Sequence, residues 1–195
     1  MYNCPSEFDD GLPITYRETG LDIAYAMSAI HKKSPRPDVC LVDAYHTLEM
    51  TLRDLNAAYD ALEDGGVLVV HDCLPHNQKQ ATPYLIEGEW CGVSYMEFIN
   101  FVLACQTCDF VTLDCDYGCG LIVKNRKIHL NEGGFIKRRA RVADHPEVVE
   151  RWQAFDADDF EGAYRFFVEN KRILLQLVPP RAFFTGFDRS PLQAE

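Results

Sequence analysis

Two short apolar runs in this chain end in residues that can do chemistry. Val39-Cys40-Leu41-Val42 runs into Asp43, with His46 three residues further on; Val67-Leu68-Val69-Val70 runs into His71-Asp72. Unbroken runs of this length fit strands buried on both faces of a parallel sheet. In an open sheet of that kind, ligands gather at the carboxyl ends of the strands, where Asp43 and Asp72 would fall. Aspartates there either take part in a ligand site or cap the following loop or helix through their oxygens. An imidazole with its pKa near ~6.5 exchanges a proton at neutral pH, so His46 is a candidate base, or else a surface histidine near a helix start.

Thiols form a second group. Cys105-Gln106-Thr107-Cys108 and Cys115-Asp116-Tyr117-Gly118-Cys119 are two close pairs separated by six residues. Four thiolates could hold a structural zinc ion. Their expected positions, at a helix end and across a strand connection, do not require them to converge. Eight cysteines without an export signal read as reduced thiols rather than a disulfide framework.

The elements that would carry these residues alternate. Between the two runs, Leu48, Leu52, Leu55, Tyr59 and Leu62 recur at helical spacing, with Thr47 as N-cap, Glu49 in the first turn and Gly65-Gly66 as the stop. Strand–helix–strand implies an α/β sheet. Upstream, Ile14-Thr15-Tyr16 reads as a strand, and Ile23, Ala26, Met27 and Ile30 give a helix one apolar face. Downstream, Tyr95, Phe98, Ile99 and Val102 predict a further helix. Phe110–Leu113 and Gly120–Val123 predict a strand, a tight connection and an antiparallel strand. The tail predicts helices over about 147–155 and 158–177. The second carries a stripe of Phe160, Tyr164, Phe167 and Leu174, which suits a core or a dimer face. Pro179-Pro180 closes it.

Composition bounds the rest. The 195 residues suffice for one well-buried domain, and the net charge of −11 argues against non-specific binding to nucleic acid or anionic lipid. No apolar run approaches the roughly 20 residues that span a bilayer, and Met1–Pro5 has no signal character, so a cytoplasmic protein is expected. Charge is uneven: residues 124–141 hold 7 basic side chains and 1 acidic one. Lys124, Arg126, Lys127, Lys137, Arg138, Arg139 and Arg141 form either a solvated face or a contact for an anionic substrate.

The order of the motifs resembles that of class I S-adenosylmethionine-dependent methyltransferases of the Asp-Gly-x-His and His-Asp type. The resemblance rests on Asp38–His46, Arg53-Asp54-Leu55, Gly65-Gly66-Val67, Val70–Pro75, Gly88–Gly92, Leu113–Gly118, and the tail segments Phe166–Lys171 and Leu177–Pro180. It implies a Rossmann-like α/β sheet, mostly parallel with an antiparallel last strand, and a helical carboxy-terminal tail. Residues 1–123 would form a partial methyltransferase domain, with residues 124–195, the basic segment and tail, packed on it. The implied reaction is methyl transfer from S-adenosylmethionine to a small-molecule hydroxyl, a sugar hydroxyl among the candidates. By the same resemblance Asp43 and Asp72 hold Mg²⁺, which polarises the acceptor hydroxyl and keeps several waters. His46 takes the acceptor proton beside Asp43, and the loop bearing Glu89 and Trp90 covers the acceptor; Trp90 also suits plain core. His71, offering nitrogen, is a poor Mg²⁺ ligand.

The chain departs from that family's pattern before Ile14, where no Gly-x-Gly turn between a strand and a helix is found. The domain is therefore expected to be amino-terminally incomplete, with weak cofactor binding by this chain alone. An unfinished sheet edge near Ile14–Tyr16 further predicts a homo-oligomer. Two non-enzymatic alternatives stand beside the enzyme: a degenerate methyltransferase-like binding protein, and an interaction module stabilised by zinc on the four cysteines.

Overall fold

The computed structural model describes residues 36–43, 45–126 and 141–181. The expected strand at Ile14–Tyr16, the helix near Ile23–Ile30, and Lys127, Lys137, Arg138 and Arg139 lie outside the described residues.

In chain order the elements are β1 (Val39–Val42), α1 (Leu48–Ala61), β2 (Val67–Val70), α2 (Ser94–Ala104), β3 (Asp109–Leu113) and β4 (Cys119–Val123). A 3₁₀ turn (Val142–Asp144), α3 (Pro146–Gln153), α4 (Phe160–Leu174) and β5 (Leu177–Val178) follow. The five strands form one open sheet in the order β1-β2-β4-β3-β5. β1 pairs parallel with β2, Val42 opposite Val70, and β3 pairs parallel with β5. β4 runs antiparallel to both β2 and β3, so four strands share one direction and β4 opposes them. The fold is α/β with a mostly parallel sheet, consistent with a Rossmann-like architecture.

Two expectations are corrected at the carboxy end. The antiparallel strand is not the last, because β5 follows it and extends the sheet beyond β3. The tail helix stops at Leu174 rather than near residue 177. Gln176 turns into the left-handed region with φ 45°, which no helix continues through, and its side-chain amide donates to the Phe110 carbonyl at 2.9 Å. Leu177 and Val178 are thereby delivered to β3, opposite Thr112 and Leu113.

One face of the sheet carries the larger core, and Val111, Leu113 and Val178 form a second, smaller buried cluster. Leu68, Val70, Phe110 and Ile122 pack with Leu55 and Ala58 of α1, Tyr95, Phe98 and Ile99 of α2, and Trp152, Tyr164, Phe167 and Leu174 of the tail helices. The aromatic stripe of α4 is therefore core: the rings of Tyr95 and Phe167 sit 4.6 Å apart. Trp152 also donates from Nε1 to Asn100 Oδ1 at 2.9 Å, tying α3 to α2. Truncating a buried ring such as Phe167 typically costs ~3–5 kcal/mol. All five residues of β3 are buried. At β1 the alternation leaves Val39 62% and Leu41 65% exposed, while Val42 faces the core.

Thr47 occupies the N-cap of α1 with extended backbone, but its hydroxyl makes no capping bond. The other end of α1 is held from outside. It has no basic residue in its last turn. Instead Lys124 Nζ donates to the Tyr59, Asp60 and Leu62 carbonyls at 2.8, 3.2 and 3.0 Å. Arg36 Nη1 adds bonds to the Asp60 and Leu62 carbonyls at 2.8 and 3.3 Å. Two cations at the negative end of a helix satisfy carbonyls that lack intrahelical partners. Lys124, read from sequence as part of a solvated face or a contact for an anionic substrate, is thus a helix cap.

Candidate functional site

The parallel pairing of β1 with β2 puts their carboxyl ends side by side, and everything in the site hangs from that rim. Asp43 follows β1 directly, and His46 sits on the link to α1. His71 and Asp72 follow β2, where the His71 N–H still bonds the Val42 carbonyl at 3.0 Å. Asp72 then adopts φ 60°, a left-handed conformation that aspartate tolerates better than most residues. The strict in–out alternation of a strand ends there.

Four side chains meet as a result. His46 Nε2 lies 3.5 Å from Asp43 Oδ1 and 3.2 Å from Asp72 Oδ2. His71 Nδ1 lies 3.5 and 3.2 Å from the same two oxygens. Asp72 is almost buried, its side chain 8% exposed, whereas that of Asp43 is 47% exposed. One ligand atom from each of Asp43, His46 and Asp72 falls within a 4.8 Å span.

The outer nitrogens are also committed. His46 Nδ1 donates to the Trp90 carbonyl at 2.9 Å; since a carbonyl only accepts, Nδ1 carries the hydrogen. His71 Nε2 faces Asp116 Oδ2 at 3.3 Å. Asp116 reaches this rim because the β3–β4 connection bonds back across it: Cys73 N–H donates to the Gly118 carbonyl and Leu74 N–H to that of Tyr117. Burial works against protonation of His71, but the carboxylates of Asp72 and Asp43 outweigh it and raise its pKa. Cys91, pushed up first by burial and then by the charge of Asp72, stays a thiol hydrogen-bonded to that carboxylate.

The loop after β2 returns to roof this rim. Trp90 lays its ring 5.3 Å from the His46 imidazole and makes an edge contact with Tyr45 at 5.7 Å. Its Nε1 donates to the Thr82 carbonyl at 2.8 Å. Glu89 accepts from Gln80 Nε2 at 3.0 Å, and its hydrogen bond to the Tyr117 hydroxyl pushes that phenol up to about 12. Gly92, at φ +58°, lies so close to the link that a Cβ there would overlap the His46 carbonyl, which accepts from Val93 N–H at 2.9 Å. Only glycine fits at position 92.

Residues 14–73 match a family model described as a methyltransferase domain. This match, over less than half of the chain, supports a methyltransferase family. No curated protein matches the chain. The matched stretch contains Asp43, His46, His71 and Asp72, and a methyltransferase domain implies S-adenosylmethionine as methyl donor. Among the described residues no Gly-x-Gly turn joins a strand to a helix to cradle that cofactor; Gly118-Cys119-Gly120 leads into strand β4 instead.

The magnesium expectation does not fit the donor set. A Mg²⁺ ion on Asp43 and Asp72 needs oxygen ligands and room for several waters. Two imidazole nitrogens stand within 3.5 Å of the carboxylate oxygens instead. His71 and Asp116 were not anticipated as site residues. For His71 the signal was present in its position beside Asp72, whereas Asp116 lies 44 residues away in sequence and only the tertiary turn brings it in.

The cysteines part company. Cys105 and Cys108 precede β3, and Cys115 and Cys119 lie beyond its far end, so a five-residue strand stands between the pairs. That separation is on the order of 15 Å, too far to share one ion. A cavity of about 310 Å³ between α2 and the tail helices, lined by Met96, Asn100, Leu103, Trp152 and Phe155, contains no rim residue.

Proposed function

We propose that the rim is a methyl-transfer site acting on a small-molecule hydroxyl, a sugar hydroxyl among the candidates. S-adenosylmethionine, when bound, supplies the methyl group as an electrophilic sulfonium carbon. The chain's own residues handle the proton. The Trp90 carbonyl fixes His46 in the tautomer with hydrogen on Nδ1, leaving the Nε2 lone pair directed into the space beside Asp43 and Asp72. There Nε2 takes the acceptor proton, and the two carboxylates stabilise the imidazolium that forms. Trp90 and Glu89 close over the acceptor from the loop after β2.

The observation that carries this reading is the approach of His46 Nε2 to both strand-end carboxylates, at 3.5 and 3.2 Å. The test is methyl incorporation from saturating S-adenosylmethionine into a panel of hydroxyl-bearing acceptors. His46→Ala is expected to lose ~10²–10⁴ in rate while circular dichroism stays unchanged. Full activity in that variant refutes the assignment. A chain that methylates nothing in the panel points to a binding protein instead.

A further inference from the structure

Cys105 and Cys108 bracket the bend between α2 and β3, at the opposite end of the sheet from the rim. Methyl transfer makes no use of them, yet their surroundings differ in a way that matters for sulfur chemistry. Cys105 is half-buried beside the exposed Gln106 and Thr107, whereas Cys108 is only 8% exposed. The Cys105 sulfur lies 3.4 Å from the Tyr59 hydroxyl of α1 and 3.9 Å from Thr107 Oγ1. It also bonds the Thr107 backbone and the Cys108 thiol. A thiolate only accepts, so all of these groups donate to Cys105 once it ionises.

Burial opposes that ionisation, but the hydrogen bonds outweigh it and lower the pKa of Cys105. Cys105 caps the carboxyl end of α2, where the helix dipole disfavours an anion; several charge-assisted bonds exceed that effect. Cys108 is the converse. Burial, then its contact with Cys105, keeps it a thiol, and it donates to the Cys105 carbonyl at 3.7 Å.

We propose that Cys105 and Cys108 form a redox-active dithiol that reduces low-molecular-weight disulfides, Cys105 attacking and Cys108 resolving. The reachable sulfur is the one cradled as an anion, and its partner waits in contact behind it, closed to bulky reagents. The Cys105 thiolate attacks one sulfur of the small disulfide, whose S–S bond breaks and releases a first thiolate. Cys108 gives its proton to that thiolate and attacks the Cys105 sulfur, which expels the second thiolate. The chain loses two electrons and gains a Cys105–Cys108 bond; the small disulfide gains the two electrons and leaves as two thiols. The exposed bend at 106–107 leaves room for this closure.

The test treats the fully reduced 195-residue chain with oxidised glutathione, quenches in acid, alkylates free thiols and maps peptides by mass spectrometry. Cleavage after Phe110 and Leu113 separates the two cysteine pairs. Expected are a Cys105–Cys108 disulfide and two glutathiones released for each one formed. Cys108→Ser should stop at glutathione on Cys105, and Cys108→Ala guards against misfolding of the serine variant. Cys105→Ser should slow reaction at Cys108 by about 10-fold or more. Tyr59→Phe keeps the ring but removes a donor, so the pH profile of Cys105 alkylation should move to higher pH. Four results overturn the proposal: a 105–108 pair that stays reduced, glutathione building first on Cys108, faster closure of Cys115 with Cys119, or a pH profile that Tyr59→Phe leaves unmoved. None of these readouts uses methyl transfer, so their failure leaves the rim reading untouched.

Discussion

Two groups of ligand-bearing side chains in this molecule invite comparison: the Asp-His rim and the paired cysteines. In sequence the cysteines are the more suggestive, with four thiols inside 15 residues, 105–119. The rim residues fall in two clusters 25 residues apart, at 43–46 and 71–72. In space the order reverses. Parallel pairing of β1 with β2 brings the carboxyl ends of two separate strands together, whereas β3 carries its flanking cysteines to opposite ends of the sheet. Proximity along a strand separates residues; a crossover unites them. Strand ends rather than spacing decide which separate clusters share a site.

The widest gap between the two groups should appear in activity. Asp72→Asn keeps the shape of the rim but removes the charge that stabilises protonated His46, so methyl transfer should fall by ~10²-fold or more. The quadruple variant Cys105→Ser, Cys108→Ser, Cys115→Ser, Cys119→Ser should transfer methyl at the parent rate. Equal losses in both would erase the distinction, and labelled-methyl incorporation reads either outcome.

Stability offers a smaller contrast. Gly92→Ala forces a Cβ into the left-handed region and against the His46 carbonyl, which should cost about 1–3 kcal/mol and lower the thermal midpoint by several degrees. Cys115→Ser, at a half-buried position, should stay within about 0.5–1 kcal/mol of the parent. Thermal melts of both variants compare them directly, and a Gly92→Ala protein as stable as its parent would show that the roof is not fitted as tightly as described.

The smallest effect lies within the cysteines. Burial by itself would raise Cys105, but hydrogen bonds with Tyr59, Cys108 and Thr107 outweigh it and lower the thiol's pKa. Burial raises Cys73, Cys91 and Cys108. Near neutral pH Cys105 therefore has the larger thiolate fraction and should alkylate several-fold faster with iodoacetamide than these three. Peptide mapping by mass spectrometry ranks them, and a faster Cys108 would contradict the assignment.

Much of this was legible beforehand, for definite reasons. The apolar runs at 39–42 and 67–70 and the helical period through Leu48–Leu62 name β1, α1 and β2, because burial on two faces and on one face leave different residue patterns. Asp43, His46 and Asp72 follow from those strand ends. His71 was set aside on ligand chemistry suited to Mg²⁺; its contacts with Asp43 and Asp116 come from strand pairing and the β3–β4 connection, which no local pattern announces. Asp116 was hidden in a connection between strands. The exit of Gln176 from the tail helix was hidden too, since Leu177 and Val178 continue the apolar character of α4 while belonging to the sheet. Lys124 looked like one member of a charge cluster, and only the position of the α1 terminus reveals its three carbonyl partners.

The uneven burial of the sheet also sets a gradient in time. β3 has every residue buried and neighbours on both sides, β4 and β5, so its amide protons should exchange with solvent only when the whole domain opens. β1 pairs with β2 alone among the described strands and shows Val39 and Leu41 to water, so its amides should exchange through local fraying, orders of magnitude sooner. Asp43 hangs from the fast strand, while the chain that carries Asp72 is anchored by hydrogen bonds from Cys73 and Leu74 to the β3–β4 connection. The two carboxylates thus belong to parts of the sheet with different lifetimes. The rim opens from the Asp43 side first.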